Sequence, residues 1–344
     1  MSNPFESTPS IPDNPHAFTQ LSEPHRSALT AHCYRMMGSL EDAEDMVQET
    51  LVRAWRAHDS FAGRASFRTW LFRIATNACL DTLDKRTRRS LPTWVLPPAD
   101  ANIPFVPGVD EAPWLGPFPD RLLATIAPGP EAQYTQLESV RLAFMVALHR
   151  LPPRQRAVLL LRDVLAWRAK EVAEQLDMTV AAVNSALQRA RTTLHDKYPA
   201  NESIEEKNMY NSGPLEPVLD RYMRAWEAAD ADGLVQLLTE DATFSMPPSV
   251  IWYRGHVAIH RFLITVAFEG DAEHRWQLRV TQANTRPALG MYQFDPETTA
   301  YRAAALQTLV VHDGLITDVI TFLSETSFTH FGLPMELDQR RIKT

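Results

Sequence analysis

Lys170-Glu171-Val172-Ala173-Glu174-Gln175-Leu176-Asp177-Met178-Thr179-Val180 reads as a short helix, a tight turn and the start of a second helix. Val172, Ala173 and Leu176 share one face of the first helix. Thr179 is suited to cap the second, which runs from Val180 to about Tyr198. Val183 and Leu187 then face the first helix across the turn, which is helix-turn-helix spacing. Thr179, Ala182, Asn184, Ser185, Gln188, Arg189 and Arg191 are left outward. Asn and Gln bond adenine bidentately in a major groove, and Arg suits guanine or phosphate. Helix pairs of this kind also serve as plain packing motifs, so the pattern alone does not decide function. Leu151-Pro152-Pro153 opens the block, with proline in the first helical turn.

Towards the N-terminus, Phe61-Ala62-Gly63-Arg64-Ala65-Ser66 is a loop leading into Phe67-Arg68-Thr69-Trp70-Leu71-Phe72-Arg73-Ile74-Ala75-Thr76-Asn77. Trp70, Leu71, Ile74, Ala78 and Leu80 are predicted to form its core stripe. Arg64, Arg68, Arg73, Lys85, Arg86, Arg88 and Arg89 supply positive charge. Aromatic rings beside arginines offer single-stranded nucleic acid both stacking platforms and phosphate neutralisation. Phe67 and Trp70 read as core, which leaves Phe61 and Asn77 for base contact. Upstream, Ser39 is an N-cap with Asp42 placed close to a capping box. Ala43, Met46, Val47, Thr50, Leu51 and Ala54 follow as an apolar stripe. Glu41, Asp42, Glu44, Asp45 and Glu49 crowd that helix start and complement its dipole. They read either as a solvated helix end or as a docking surface for a basic partner.

The 344 residues are 45% hydrophobic and 22% charged, a globular composition with room for two or three domains. No apolar run reaches about 18 residues, so no membrane span is expected. Met1 to Pro15 is polar and Pro-rich without the order of a signal peptide, and a cytoplasmic location is the expectation. Two cysteines, Cys33 and Cys79, cannot build a disulfide framework or a zinc site. The net charge of −8 argues against a general nucleic-acid coat, but it is unevenly spread. Residues 53–89 hold nine Lys/Arg against three Asp/Glu, whereas residues 210–344 are net acidic.

The expected division is a flexible tail at 1–20, a helical domain at 21–90, a Pro-rich linker at 91–130 and a helix-turn-helix domain at 131–198. A second linker at 199–212, an α+β domain at 213–330 and a tail at 331–344 follow. The first linker has ten prolines in forty residues, and proline, which has no N–H, blocks helix interiors. Trp94, Phe105, Trp114 and Phe118 within it predict docking against a domain surface or partner. In the α+β domain, Leu215–Ala229 reads as a helix with Leu219, Tyr222, Met223 and Trp226 on one side. Strands are predicted at 242–246, 276–283, 291–294, 303–311 and 315–323, as an antiparallel meander. His312-Asp313-Gly314 is the hairpin signal between the last two.

Two blocks together carry a resemblance. Asp42 to Thr50 with Arg53-Ala54-Trp55, then Phe67 to Asn77, strongly resembles region 2 of the extracytoplasmic-function sigma factors. Leu151 to Arg191 resembles their region 4. His32 to Ser39, the aromatic Pro-rich linker and the extra domain look like a subgroup with a cone-shaped, SnoaL-like α+β tail. The implied fold is two all-α helical sigma domains, the second with a helix-turn-helix, plus that C-terminal α+β domain. The resemblance implies that Asp42, Glu44, Asp45, Gln48 and Glu49 bind the β′ clamp helices of core RNA polymerase, with the β flap as a further contact. It implies that Phe61, Arg64, Arg68, Arg73, Asn77, Lys85, Arg86 and Arg88 bind the promoter −10 element, with one base flipped out. Extrusion costs a few kcal/mol of unstacking, which a shaped pocket must offset. It also assigns Thr179, Ala182, Asn184, Ser185, Gln188, Arg189 and Arg191 to −35 DNA. Asn184 and Ala186 stand where arginines occur in some members, which points to a group-specific −35 sequence.

No catalytic centre, metal or cofactor is expected. The C-terminal domain is expected to regulate in cis, with small-molecule sensing or catalysis as the alternative. Trp226, Phe244, Trp252, Tyr253, Trp276, Tyr292 and Phe322 are candidate pocket walls, with Asp241, His256, His260, His274 and Asp318 as candidate polar groups. A small-molecule ligand and an anti-sigma partner both stay open.

Overall fold

The computed structural model describes residues 14–61, 63, 65–84, 89–100, 102, 114–123, 137, 139–197, 215–270, 272–323 and 328–338. The chain forms two compact units. Met1–Arg89 joins Leu122–Lys197 in one, and Ser90–Arg121 joins Tyr198–Thr344 in the other.

The first unit is helical. Helix α1, Pro15–Ser22, begins within the stretch expected to be a flexible tail. Asn14 caps it through Oδ1, accepting from His16 N at 2.8 Å, and Pro15 occupies the first helical position. Phe18 anchors it, edge-on to Trp55 with ring centroids 5.4 Å apart. Helix α2, Arg26–Met37, is buried from Ala28 to Met37 and stops at Gly38, whose φ of 83° suits a helix C-terminus. Helix α3, Leu40–Arg56, starts where Ser39 Oγ accepts from Asp42 N at 3.3 Å. Ala43, Val47, Thr50 and Ala54 are its buried stripe. Helix α4, Phe67–Leu83, is capped by Ser66 and buries Leu71, Phe72, Ala75, Ala78 and Cys79. Trp70, Ile74 and Leu80 are only half-buried, so the core stripe is rotated from the predicted one.

Helices α5 (Leu142–His149), α6 (Pro153–Leu159), α7 (Ala169–Gln175) and α8 (Val180–Lys197) complete this unit. A π-helical turn, Leu160–Val164, extends α6. Asp177 reverses the chain at φ 51°, and Thr179 Oγ1 caps α8 by accepting from Ala182 N at 3.1 Å. Val172, Ala173, Leu176, Val183 and Leu187 are all buried, as helix-turn-helix spacing requires.

The second unit is α+β. Helices α9 (Leu215–Glu227), α10 (Ala231–Val235) and α11 (His256–Phe262) accompany a seven-stranded sheet. The strands are β1 (Leu238–Ser245), β2 (Trp252–Arg254), β3 (Trp276–Ala283), β4 (Arg286–Asp295), β5 (Ala300–His312), β6 (Leu315–Phe322) and β7 (Glu336–Asp338). Their order is β2-β1-β6-β5-β4-β3, with β7 on β5. Strands β3 to β6 are the expected antiparallel meander, but β1 runs parallel to β6. The β5–β6 turn holds Asp313 and Gly314 at φ 49° and 78°, the left-handed pair a two-residue hairpin demands.

Two cores flank the sheet. Tyr222, Trp226, Phe244, Ile259, Leu289 and Val319 belong to the larger. Tyr292, Tyr301, Leu306, Phe328, Phe331 and Leu333 form the smaller. Part of the expected C-terminal tail is therefore structural, with Phe331 and Leu333 buried and Tyr301 opposite Leu337.

The described parts of the Pro-rich segment pack on this unit. Trp114 Nε1 donates to Pro248 O at 2.8 Å, and Trp252 Nε1 donates to Leu96 O at 3.1 Å. Phe118 is fully buried and trades hydrogen bonds with Asn284 through N to Oδ1 at 2.8 Å and O from N at 2.9 Å. Asp120 accepts from Thr285 N at 3.0 Å. Phe105 lies outside the described residues.

Candidate nucleic-acid interface

Helix α4 lays out one surface from its own periodicity. Trp70, Arg73 and Asn77 are three and four residues apart, so they follow one another along a single face. Phe61 rests on Trp70 with ring centroids 5.3 Å apart, and Phe67 lies 6.1 Å from Phe61. All three rings are half-buried, which corrects the core reading of Phe67 and Trp70. Arg68 is exposed and sits over the Phe72 ring at 5.1 Å. The face is thus aromatic at one end and polar at the other, with Asn77 about 15 Å along the helix from Phe67. Arg64, Lys85, Arg86 and Arg88 lie outside the described residues.

On α3 the acidic residues have separated fates. Asp45 and Gln48 are exposed on the outer face. Asp42 is paired with Arg89. Glu49 accepts from Arg53 Nε at 2.7 Å, and the same guanidinium donates to Asp81 at 2.7 Å, tying α3 to α4. Those two carboxylates, Asp81 first, raise the Arg53 pKa. Glu44 is half-buried.

On α8, Thr179, Asn184, Ser185, Gln188, Arg189 and Arg191 are exposed and Ala182 is half-exposed. Asn184, Ser185 and Gln188 form an exposed polar strip along the helix. Arg191 is already held by Asp163 through two bonds of 2.7 and 3.0 Å, which brace α8 against the π turn.

Gln175, which the sequence placed only in the first helix of the pair, meets the α4 surface. Its Nε2 donates to Asn77 Oδ1 at 2.9 Å and to Arg73 O at 3.0 Å. A buried polar seam accompanies this contact. Arg156 donates to Met36 O and, at 3.2 Å, to His149 O. His149 Nε2 donates to Arg35 O at 3.2 Å. The C-terminal carbonyls of α2 lack intrahelical donors and carry negative dipole charge, so a guanidinium suits them. Burial, and then the Arg156 charge, hold the His149 pKa well below the usual imidazole range. No sequence signal marks this seam, because its partners lie about a hundred residues apart.

In the C-terminal unit, an apolar cavity of about 10 Å³ is lined by Tyr222, Trp226, Leu234, Leu238, Phe244, Ile259, Leu263 and Val319. That is room for about one water. Of the predicted wall residues, Trp226 and Phe244 reach it. The predicted polar groups lie elsewhere. Asp241 faces Arg254 at 3.6 Å, His260 pairs with Asp232 at 3.0 Å, and Asp318 accepts from Thr243 at 2.7 Å. His256 bonds Leu238 O at 3.2 Å, and His274 pairs with Glu273 at 3.6 Å. Buried polar groups the sequence did not single out form a chain instead. Tyr222 OH donates to Gln307 at 2.9 Å, and Gln307 donates to Thr321 at 3.0 Å. Among the described residues, no cluster of three or more His, Cys, Asp or Glu is placed to hold a metal ion. Among the same residues, no helix is long and apolar enough to cross a membrane.

Comparison with known proteins follows the same division. The sigma-70 region 2 family matches residues 21–89, sigma-70 region 4 matches 141–194, and the SnoaL-like domain matches 219–319. The ECF RNA polymerase sigma factor SigG of Mycobacterium tuberculosis is 44% identical over 324 residues, 93% of this chain and 85% of the relative. SigJ of the same species is 31% identical over 327 residues, 90% of this chain and 92% of the relative. The crystal structure of Mycobacterium tuberculosis SigJ aligns with a TM-score of 0.55 at 26% identity, covering 92% of this chain and 99% of that one. With a relative this similar aligned along nearly its whole length, the chain belongs to the extracytoplasmic-function RNA polymerase sigma factors, which direct promoter recognition and transcription initiation, and it carries a SnoaL-like domain at its C-terminal end.

Proposed function

We propose that the C-terminal domain regulates this sigma factor in cis by holding the tether between regions 2 and 4. One observation carries the reading: Ser90–Arg121, which leads from region 2 towards region 4, is part of the C-terminal unit. The bonds at Trp114, Phe118 and Asp120 take that length out of the tether and limit the separation the two regions can adopt.

Within that scheme, Phe61, Arg68, Arg73 and Asn77 contact the −10 element, joined by Arg64, Lys85, Arg86 and Arg88. The α8 strip contacts −35 DNA, and the outer face of α3 contacts the β′ clamp helices of core polymerase. Region 4 also meets the β flap. Asn77 sits at the polar end of an aromatic face, the arrangement an extruded base needs.

In-vitro transcription with core polymerase tests the regulation, using the protein's own gene promoter as template. Ending the chain after residue 205, or replacing Phe118 with Ala in the full chain, is expected to change initiation with polymerase affinity near normal. Unchanged transcription in both variants rules out cis-regulation. Asn77→Ala is expected to reduce open-complex formation more than polymerase binding, and equal loss of both removes the base-reading role.

A further inference from the structure

We propose that Gln175 is an intramolecular plug that occupies the base-reading edge of Asn77 until core polymerase draws regions 2 and 4 apart; this rests on the assignment of Asn77 to the −10 element. The Gln175 carboxamide presents to Asn77 Oδ1 the N–H that an exocyclic base amine would present, at 2.9 Å. It also donates to Arg73 O, one helical turn back on the same face. A base and Gln175 cannot hold Asn77 Oδ1 in the same geometry together.

The docked arrangement also excludes promoter binding by distance. The two promoter elements lie about 25 base pairs apart, or about 85 Å at 3.4 Å per step. Gln175 touches Asn77, and α8 begins five residues later at Val180 and runs for 18 residues, or about 27 Å. No point of α8 is therefore far enough from Asn77 to reach −35 DNA while the plug is seated. Opening is a required step.

The seam at Arg156, His149 and the α2 carbonyls holds region 4 in register for the plug. The α4 face itself is incompletely satisfied. Arg73 Nε is buried with no hydrogen-bond partner among the described residues.

Fluorescence anisotropy of the full chain with a fluorescein-labelled, mixed-sequence single-stranded DNA 12-mer tests this. Gln175→Ala is expected to tighten binding about tenfold over wild type, and Gln175→Glu, which has no N–H to donate, to do the same. Adding Asn77→Ala to either is expected to return affinity to the wild-type level. With saturating core polymerase, wild type and both variants are expected to bind alike, because the plug is already withdrawn. Unchanged affinity in both Gln175 variants, with melting temperature preserved, overturns the plug. A gain that persists with polymerase bound also overturns it. A gain without polymerase that survives Asn77→Ala keeps the plug and removes the base-reading role of Asn77.

Discussion

His149 Nε2 donates a hydrogen bond to Arg35 O across 3.2 Å, joining the first helix of region 4 to the last turn of α2. Both residues are buried, and burial first, then the Arg156 charge beside it, keeps His149 neutral there. His32, buried between α2 and α4, is held down to about 3 by burial and by Arg35. In the unfolded chain both imidazoles titrate near 6.5. Below that pH the unfolded chain takes up protons that the folded chain refuses. The stability these histidines contribute is thus full above about 6.5 and is lost as pH falls. We expect denaturant unfolding of the helical unit to lose about 1.4 kcal/mol per pH unit per histidine below pH 6. His149→Gln should remove one histidine's share of the slope. An unchanged slope would mean that His149 is not buried neutral.

Asp120 predicts the opposite sign in the other unit. Burial pushes its carboxyl up to about 6, against the pull of the Thr285 and Asn284 N–H groups. The folded chain therefore binds a proton between about pH 4 and 6 that the unfolded chain has released. Its contribution is full below about 4 and is lost as pH rises through 6. The group is partly open to solvent, so about 1–2 kcal/mol is expected. Asp120→Asn keeps one acceptor for Thr285 N and should flatten that part of the profile for the C-terminal unit. A variant with the wild-type slope would refute the assignment.

Asp42 and Asp45 share helix α3, yet their substitution should separate stability from polymerase binding. Asp42 faces Arg89 and is mostly sheltered, with 15% of its side chain exposed. Asp42→Ala should cost about 1–3 kcal/mol by leaving the guanidinium without that acceptor. Asp45 is exposed, so Asp45→Lys should leave the melting temperature within about a degree while lowering core-polymerase affinity at least tenfold. Normal affinity in Asp45→Lys would move the polymerase contact off this face.

Gly290 on β4 leaves room for the chain beyond β6. A Cβ there would lie 2.4 Å from Leu333 Cδ1 and 3.2 Å from Phe328 Cε1. Gly290→Ala should destabilise the C-terminal unit by about 1–3 kcal/mol, read by calorimetry. Adding Leu333→Ala should recover part of the loss, because the clash is with that side chain. No recovery would mean that strain in the sheet itself sets the cost.

What the sequence determined by itself was local. The Ser39 and Thr179 caps, the helix-turn-helix spacing at 172–187 and the Asp313-Gly314 hairpin depend on residues within a few positions of each other, so periodicity and turn chemistry expose them. Motif order then identified both sigma regions, and the aromatic residues of the Pro-rich segment announced that it docks. Tertiary structure decided the rest. Helix α1 looked like a tail because its stability comes from Phe18 packing against Trp55, which no short window displays. The β1–β6 parallel pairing and the β7 addition join strands separated by long stretches of chain, where register has no local signature. Asn77 was legible as an exposed polar group on an arginine-rich helix. Its partner Gln175 was not, because a hydrogen bond between residues 98 positions apart exists only once tertiary packing has fixed where each helix lies.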